Sequence, residues 1–227
     1  MTQKQLIELI QQHHATMGET EIRLALNRAQ DDYCAKTELI KTTYVQDSIA
    51  GKRYYTLDSQ ILKITKVQIN DVDIPRLIGT PIIDDDEFDA ATGLTAPASS
   101  SNDRFWYIGN DRLAIVEKAT STITRDGKQS DYQSISEVKE IRIYAIAQAT
   151  DFTTDLTEVS EIPNQFHDAL VYKVIADSYL KAGTEVFNPQ VSQIFEGKYL
   201  ELVKNGKKKA RDNYISSGSA VIRPTAF

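Results

Sequence analysis

His167 and Asp168 stand side by side at the head of an apolar run, and a histidine beside a carboxylate is a combination that can orient an imidazole for general-base catalysis. Neighbours on a helix point about 100° apart, however, and do not face each other. No G-x-S-x-G motif occurs to complete a triad. The pair therefore reads as the first turn of a helix, with Asp168 complementing the positive helix end and His167 on its polar side. His13 and His14 fail as a metal pair for the same reason. A helical zinc site needs i, i+4 spacing, so they read as partly exposed helix residues.

Asp84, Asp85, Asp86, Glu87 and Asp89 have the composition of a calcium loop but lack the glycine and closing glutamate of an EF-hand, so a solvated acidic loop is expected. Cys34 is the single cysteine, has no C-x-x-C or histidine cluster near it, and reads as a small buried side chain on a helix. Neither a P-loop nor G-x-G-x-x-G is present. Lys207, Lys208, Lys209 and Arg211 are not interleaved with aromatics and read as a solvated helix end or a protein contact. These groups supply no catalytic, cofactor-binding or metal residue, and no cofactor is expected.

Elements must then account for the chain. Its 227 residues can bury a real core, and 41% hydrophobic with 26% charged residues is an ordinary globular composition. A net charge of -6 argues against a protein whose main task is gripping nucleic acid. Apolar runs fall far short of the roughly 20 residues that cross a bilayer, and the first residues lack a signal peptide's pattern, so no membrane is expected and the chain should be made in the cytoplasm.

A Thr2-x-x-Gln5 capping box opens a helix expected to run to Met17 and stop at Gly18. A second helix is expected over 20–36, with Ile22, Ala25, Leu26, Ala29 and Tyr33 on one stripe. The period then changes to strand. "LIKTTYVQ" and "RYYTL" read as a hairpin about "AGK", and "ILKITKVQINDVDI" continues with a turn at Asn70-Asp71 and Thr65, Val67 and Ile69 on one face. Another hairpin turns at 109–111, and Ile141, Ile143 and Ala145 alternate in a last strand. Residues 81–103 and 121–136 read as two long loops. Pro163 opens a helix to about residue 180 with Gly183 as its stop, expected to be the most buried. Asn188 caps the final helix, which should bury Val191, Ile194, Phe195, Tyr199 and Leu202.

The fold class expected is α+β: a helical bundle formed by the N- and C-terminal helices, an inserted antiparallel β-domain and an extended C-terminal arm. The divisions fall at 1–38, 39–150, 151–215 and 216–227.

The order of these parts resembles the head-to-tail connector, or portal adaptor, proteins of tailed phages, especially short-tailed and crAss-like phages. The residues that carry the resemblance are Gly51, Tyr55 and Leu57 in the first hairpin, Trp106, Tyr107 and Gly109 in the second, and Tyr144 in the last strand. Pro163, Phe166, His167, Ala169, Leu170 and Tyr172 carry it on the helix. Glu117 departs from it, standing where the family has a proline.

The resemblance implies a structural virion protein rather than an enzyme, located in the neck. It implies a homo-oligomeric ring, commonly a dodecamer, bound beneath the portal protein and followed by tail or neck proteins. DNA would pass through its acidic lumen without specific binding. The tail has its own expectation: Val221, Ile222 and Phe227 have nothing local to bury them, Arg223 can reach an acidic group, and Pro224 holds the chain extended. That arm is expected to contact the portal or a neighbouring subunit. Two other classes compete with the connector: a carbohydrate-binding virion module using the β-domain and an exposed Trp106, and a hydrolase in which His167 meets a nucleophile.

Overall fold

The computed structural model of the protein describes residues 1–79, 82–83, 89–90, 103–109, 111–125, 128–181 and 187–216. The chain divides into two units, Met1–Lys41 with Ile146–Phe227, and Thr42–Ala145. The first holds helices α1 (Gln3–Gln11), α2 (Glu19–Thr37), α3 (His167–Tyr179) and α4 (Pro189–Ser216). The strands are β1 (Lys41–Asp47), β2 (Tyr54–Thr56), β3 (Ile61–Ile69), β4 (Val72–Ile74), β5 (Ile82–Ile83), β6 (Asp89–Ala90), β7 (Arg104–Gly109), β8 (Arg112–Arg125), β9 (Lys128–Ser134) and β10 (Glu140–Ala147). The class is α+β, with the strands inserted between α2 and α3. No helix among the described residues is long and apolar enough to cross a membrane.

In the helical unit the capping box is present: Thr2 Oγ1 accepts from Gln5 N, and Gln5 Oε1 accepts from Thr2 N. α1 ends at Gln11, earlier than its sequence predicts, because the chain folds inward there. His13 and His14 both donate their backbone N–H to Ile10 O, and His14 is buried rather than partly exposed on a helix. α2 closes on Glu38 in the left-handed region. Pro163 precedes a short 3-10 turn at Asn164–Phe166, so α3 begins later than expected. α3 is nonetheless the helix with the widest buried face, including Ala169, Leu170, Val171, Val174 and Ile175. Leu170, Val171, Val174 and Ile175 each contribute about 1.5–3 kcal/mol by leaving water, and Ala169 less.

Asn188 caps α4 as expected, accepting from Val191 N (3.2 Å). The stripe that packs inward is Ser192, Phe195, Tyr199, Val203 and Gly206; Ile194 is 59% exposed, against expectation. At 28 residues α4 spans about 42 Å.

The β unit has two four-stranded arrangements, ordered β1-β10-β3-β4 and β2-β8-β7 with β9 on β8. Tyr55, Val67, Ile69, Trp106, Leu113, Ile115, Ile141 and Ile143 share one core between them. Tyr54, Phe105, Tyr107, Ala114 and Val116 form a second on the opposite face of β2-β8-β7. The period of two along β7 and β8 therefore buries both faces. Asn70 and Asp71 turn β3 into β4 with φ of 47° and 64°, the geometry of a two-residue hairpin. The β7–β8 hairpin also forms as expected.

Three expectations fail here. β1 and β2 do not form a hairpin, because β1 lies beside β10 and β2 pairs with β8. Thr65 faces outward, its Oγ1 donating to Tyr144 O (2.9 Å), because Ile64 and Val67 are both buried and the alternation slips once. Residues 121–136 are no loop: β8 runs to Arg125 and β9 returns from Lys128. Within 81–103, β5 pairs antiparallel with β6. Asp84, Asp85, Asp86 and Glu87 lie outside the described residues, as does Gly183.

Candidate functional site

His167 is fully buried, not on the polar side of α3. Its Nε2 is 2.7 Å from Ile162 O, which can only accept, so Nε2 carries the proton. Nδ1 then accepts from the Met1 amino group at 2.8 Å. Burial, with the Met1 ammonium adding to it, holds the imidazole below the ordinary histidine range against the raising effect of Ile162 and Ser160. Both ring nitrogens are thus occupied by structural partners, and Asp168 points to solvent. A base so placed reaches no nucleophile. Cys34, also buried, has its thiol pushed up to about 11 by desolvation, which removes it as a thiolate.

The polar groups that do converge join helices. Tyr199 Oη on α4 donates to Asp32 Oδ2 on α2 at 2.6 Å, and Lys36 Nζ donates to the same oxygen at 2.7 Å. Lys36 and Lys173 lie over the Tyr199 ring at 5.1 and 5.7 Å, and Lys173 bridges to Asp177 and Glu196. Burial alone would raise Asp32, but hydrogen bonds from Lys36 and Tyr199 outweigh it and hold the carboxyl below its ordinary range. Next to this lock, Gly206 is where α4 approaches α2: a Cβ there would stand 2.3 Å from Tyr33 Oη and 2.9 Å from Thr37 Cγ2. A third cluster places the His14 ring edge-on to Tyr179 at 4.4 Å and His13 edge-on to Phe195 at 5.2 Å, with Tyr179 stacked on Phe195 at 6.3 Å.

Two exposed surfaces of the helical unit carry clustered charge. On α4, Leu200, Lys204, Lys207, Lys208, Lys209 and Arg211 face solvent. Residues 151–168, leading into α3, carry exposed Asp151, Asp155, Glu161 and Asp168, with Val159 among them at 54% exposure. Phe152 and Ile162 anchor this segment in the core. No motif marks this segment, but its composition does: no Lys or Arg occurs from residue 143 to 172.

In the β unit an open cleft of about 760 Å³ is lined by Ile69, Val72 and Ile74 beneath Arg104, Glu117 and Gln133. Gln133 donates to Glu117 (3.0 Å), so these groups largely satisfy one another. Trp106 is 4% exposed with the Arg76 guanidinium over its ring at 5.3 Å, so it offers no stacking face to a sugar. Among the described residues no group of histidine, cysteine and carboxylate side chains could hold a metal. Val221, Ile222, Arg223, Pro224 and Phe227 lie outside the described residues. Among the described residues the converging polar groups are engaged in contacts between elements, and the two charged surfaces of the helical unit are its most distinctive exposed features.

The family model described as SU10 adaptor protein matches residues 1–223. A comparison with curated proteins gives no match.

Proposed function

Because the chain belongs to the SU10 adaptor protein family, a family of phage head-to-tail adaptors, we propose that it assembles as a ring below the portal, joins capsid to tail and leaves a channel for DNA. The family role is that of a structural component of the virion. Whole-chain correspondence to that family is the observation that carries the reading. Its support in the fold is the arrangement of interior groups: they are spent on holding helices and sheets together, which suits a structural part.

Within this reading, residues 1–38 and 151–215 form the ring's helical body, 39–150 its β-domain, and 216–227 an arm. Val221, Ile222 and Phe227 would bury on the portal or a neighbouring subunit, where three such side chains offer about 1.5–3 kcal/mol each before ordering costs. The partners are further copies of the chain, the portal protein and the next neck or tail protein. DNA would slide past an acidic wall, consistent with the net charge of -6.

Sedimentation velocity and electron microscopy of the protein, alone and mixed with its portal, test the ring. The expected result is a closed oligomer in at least one condition, with attachment to portal lost on deleting residues 216–227 and the melting temperature kept. A monomer in both conditions overturns the ring.

A further inference from the structure

The helical unit carries two exposed surfaces of opposite charge, and we propose that they dock between copies of this chain: the C-terminal half of α4 in one copy against residues 151–168 of the next. The inference rests on the ring reading and names the surfaces that would close it.

On α4 the stripe packed inward is Tyr199, Val203, Gly206 and Ala210. One position further on, Leu200, Lys204, Lys207 and Arg211 follow at i, i+4, i+7 and i+11, a single face about 100° round the helix. All four are exposed, Leu200 by 50%, and Lys208 stands one turn from Lys204, while Lys209 lies on the opposite face of the helix. None of Lys204, Lys207, Lys208, Lys209 and Arg211 makes an ion pair with a described residue. Taking Lys204, Lys207, Lys208 and Arg211 from the chain's 26 Lys and Arg leaves 22 against 32 Asp and Glu, so the rest of a second copy is rich in acid.

The complement is a preformed one. Asn27 fixes Phe152 by accepting from its N–H (2.9 Å) and donating to its carbonyl (3.2 Å). Asp155 accepts from Thr157 N and Oγ1, Glu158 from Thr153 N and Oγ1, and Glu161 from Thr150 Oγ1. These bonds set the carboxylates in place, and each keeps lone pairs for a cation. Asp31 sits beside Asp151, and burial together with that neighbour raises its carboxyl above the ordinary range. A cation arriving there relieves the repulsion. Val159 offers an apolar contact for Leu200, which stands at one end of the charged stripe. Carboxylates held in advance lose little freedom on meeting a partner, so the ordering cost falls on the basic side chains. Because the two surfaces differ, the contact is heterologous and repeats head to tail, which closes into a ring when the rotation allows. A basic stripe also suits a phosphate backbone, but the complementary carboxylates on the same chain favour a second copy.

The experiment reverses each surface in the full chain, as Lys204→Glu/Lys207→Glu/Arg211→Glu and as Asp151→Lys/Asp155→Lys/Glu161→Lys. Association is measured by sedimentation at low and high salt, alone and with portal, and melting temperature reports folding. Each variant alone should associate at least about tenfold more weakly than the wild type. An equimolar mixture should recover the association, since each variant then supplies the complement of the other, and salt should weaken the wild-type contact. If the wild type assembles and both variants match it, these surfaces are wrong and the ring stands. If the wild type never assembles, both fail. Loss of duplex DNA binding by the α4 variant, with self-association unchanged, would assign the stripe to nucleic acid and overturn the proposal.

Discussion

In the helical unit His14 and His167 are buried and Tyr199 reaches Asp32 beneath Lys36, whereas in the β unit the pairs Arg142–Asp71, Lys66–Asp73 and Lys139–Glu137 lie on accessible strand faces and connections. Arg53, donating to Tyr132 O (3.2 Å), is a buried exception in the β unit. The cause is geometric. A helix offers one stripe to its neighbours, and three helices meeting at α2, α3 and α4 bring polar positions of those stripes inside. A two-sided sheet buries every second residue on each face, and here the apolar residues suffice to fill both. Stability of the helical unit should therefore depend on individual polar groups and on pH, and that of the β unit on bulk apolar burial.

The largest test of the contrast compares two glycines on α4. Gly206→Ala puts a methyl against Tyr33 and Thr37 and should destabilise by about 1–3 kcal/mol through overpacking. Gly197→Ala meets nothing within 4 Å and should stabilise by about 0.5–1 kcal/mol from helix propensity. Chemical denaturation measures both, and Tyr33→Phe should soften the first by removing the nearest atom. Equal effects at the two glycines would mean that α4 does not approach α2 as described.

Acid comes next. Burial lowers the folded-state pKa of His14, with His13 and Lys181 adding to it, and burial likewise lowers that of His167. A group lowered in the folded state is stabilising while neutral, so its contribution is complete above the unfolded value of about 6.5 and declines as pH falls below it. His14 Nε2 has no hydrogen-bond partner among the described residues, so a proton there would be stranded. Its surroundings are His13, Tyr179 on α3, and Lys181, which pairs with Glu21 of α2. Melting temperature should drop between pH 7.5 and pH 5, and His14→Phe, which keeps the ring against Tyr179, should flatten the drop. A wild type with no slope in that window would remove both histidines from the account. Tyr199→Phe is expected to cost about 1 kcal/mol, less than a buried bond to a charge because Asp32 is partly exposed, and to raise the Asp32 pKa.

What could be read from sequence divides along the same line. The Thr2 capping box, the Asn188 cap and the Asn70-Asp71 turn are local, and each stands as expected. The β1–β2 hairpin fails because the neighbour of β1 is β10, about a hundred residues away, which no local pattern encodes. Residues 121–136 were legible: Ser121, Thr122, Ile123 and Thr124 before Asp126-Gly127 are strand residues before a hairpin signal. Ile194 misleads because the α4 stripe is held at Ser192 and Gly206, residues that do not read as core. His167 is buried by Ile162 and Met1, the latter far off in sequence, so its placement could not be seen from its helical period. The site itself was half legible: the α4 lysines are visible as a run, but their complement shows only as a stretch lacking cations.

The smallest effect belongs to the β-unit edge. Asp73 on β4 accepts from Gln68 Nε2 (2.7 Å) and pairs with Lys66 (2.9 Å), and hydrogen bonds from Lys66 and Gln68 lower its pKa. Its side chain is nevertheless about two-thirds exposed, where solvent screens the attraction and two long partners lose freedom in holding it. Asp73→Asn keeps the hydrogen-bonding shape and removes the charge, so the change in stability should stay below about 0.5 kcal/mol and shrink further in salt. The next residue along β4, Ile74 opposite Val67, is buried, and Ile74→Ala should cost about 2–5 kcal/mol in the same strand. A loss at Asp73 approaching that at Ile74 would show that the β unit also depends on particular charges, and the distinction between the two units would go.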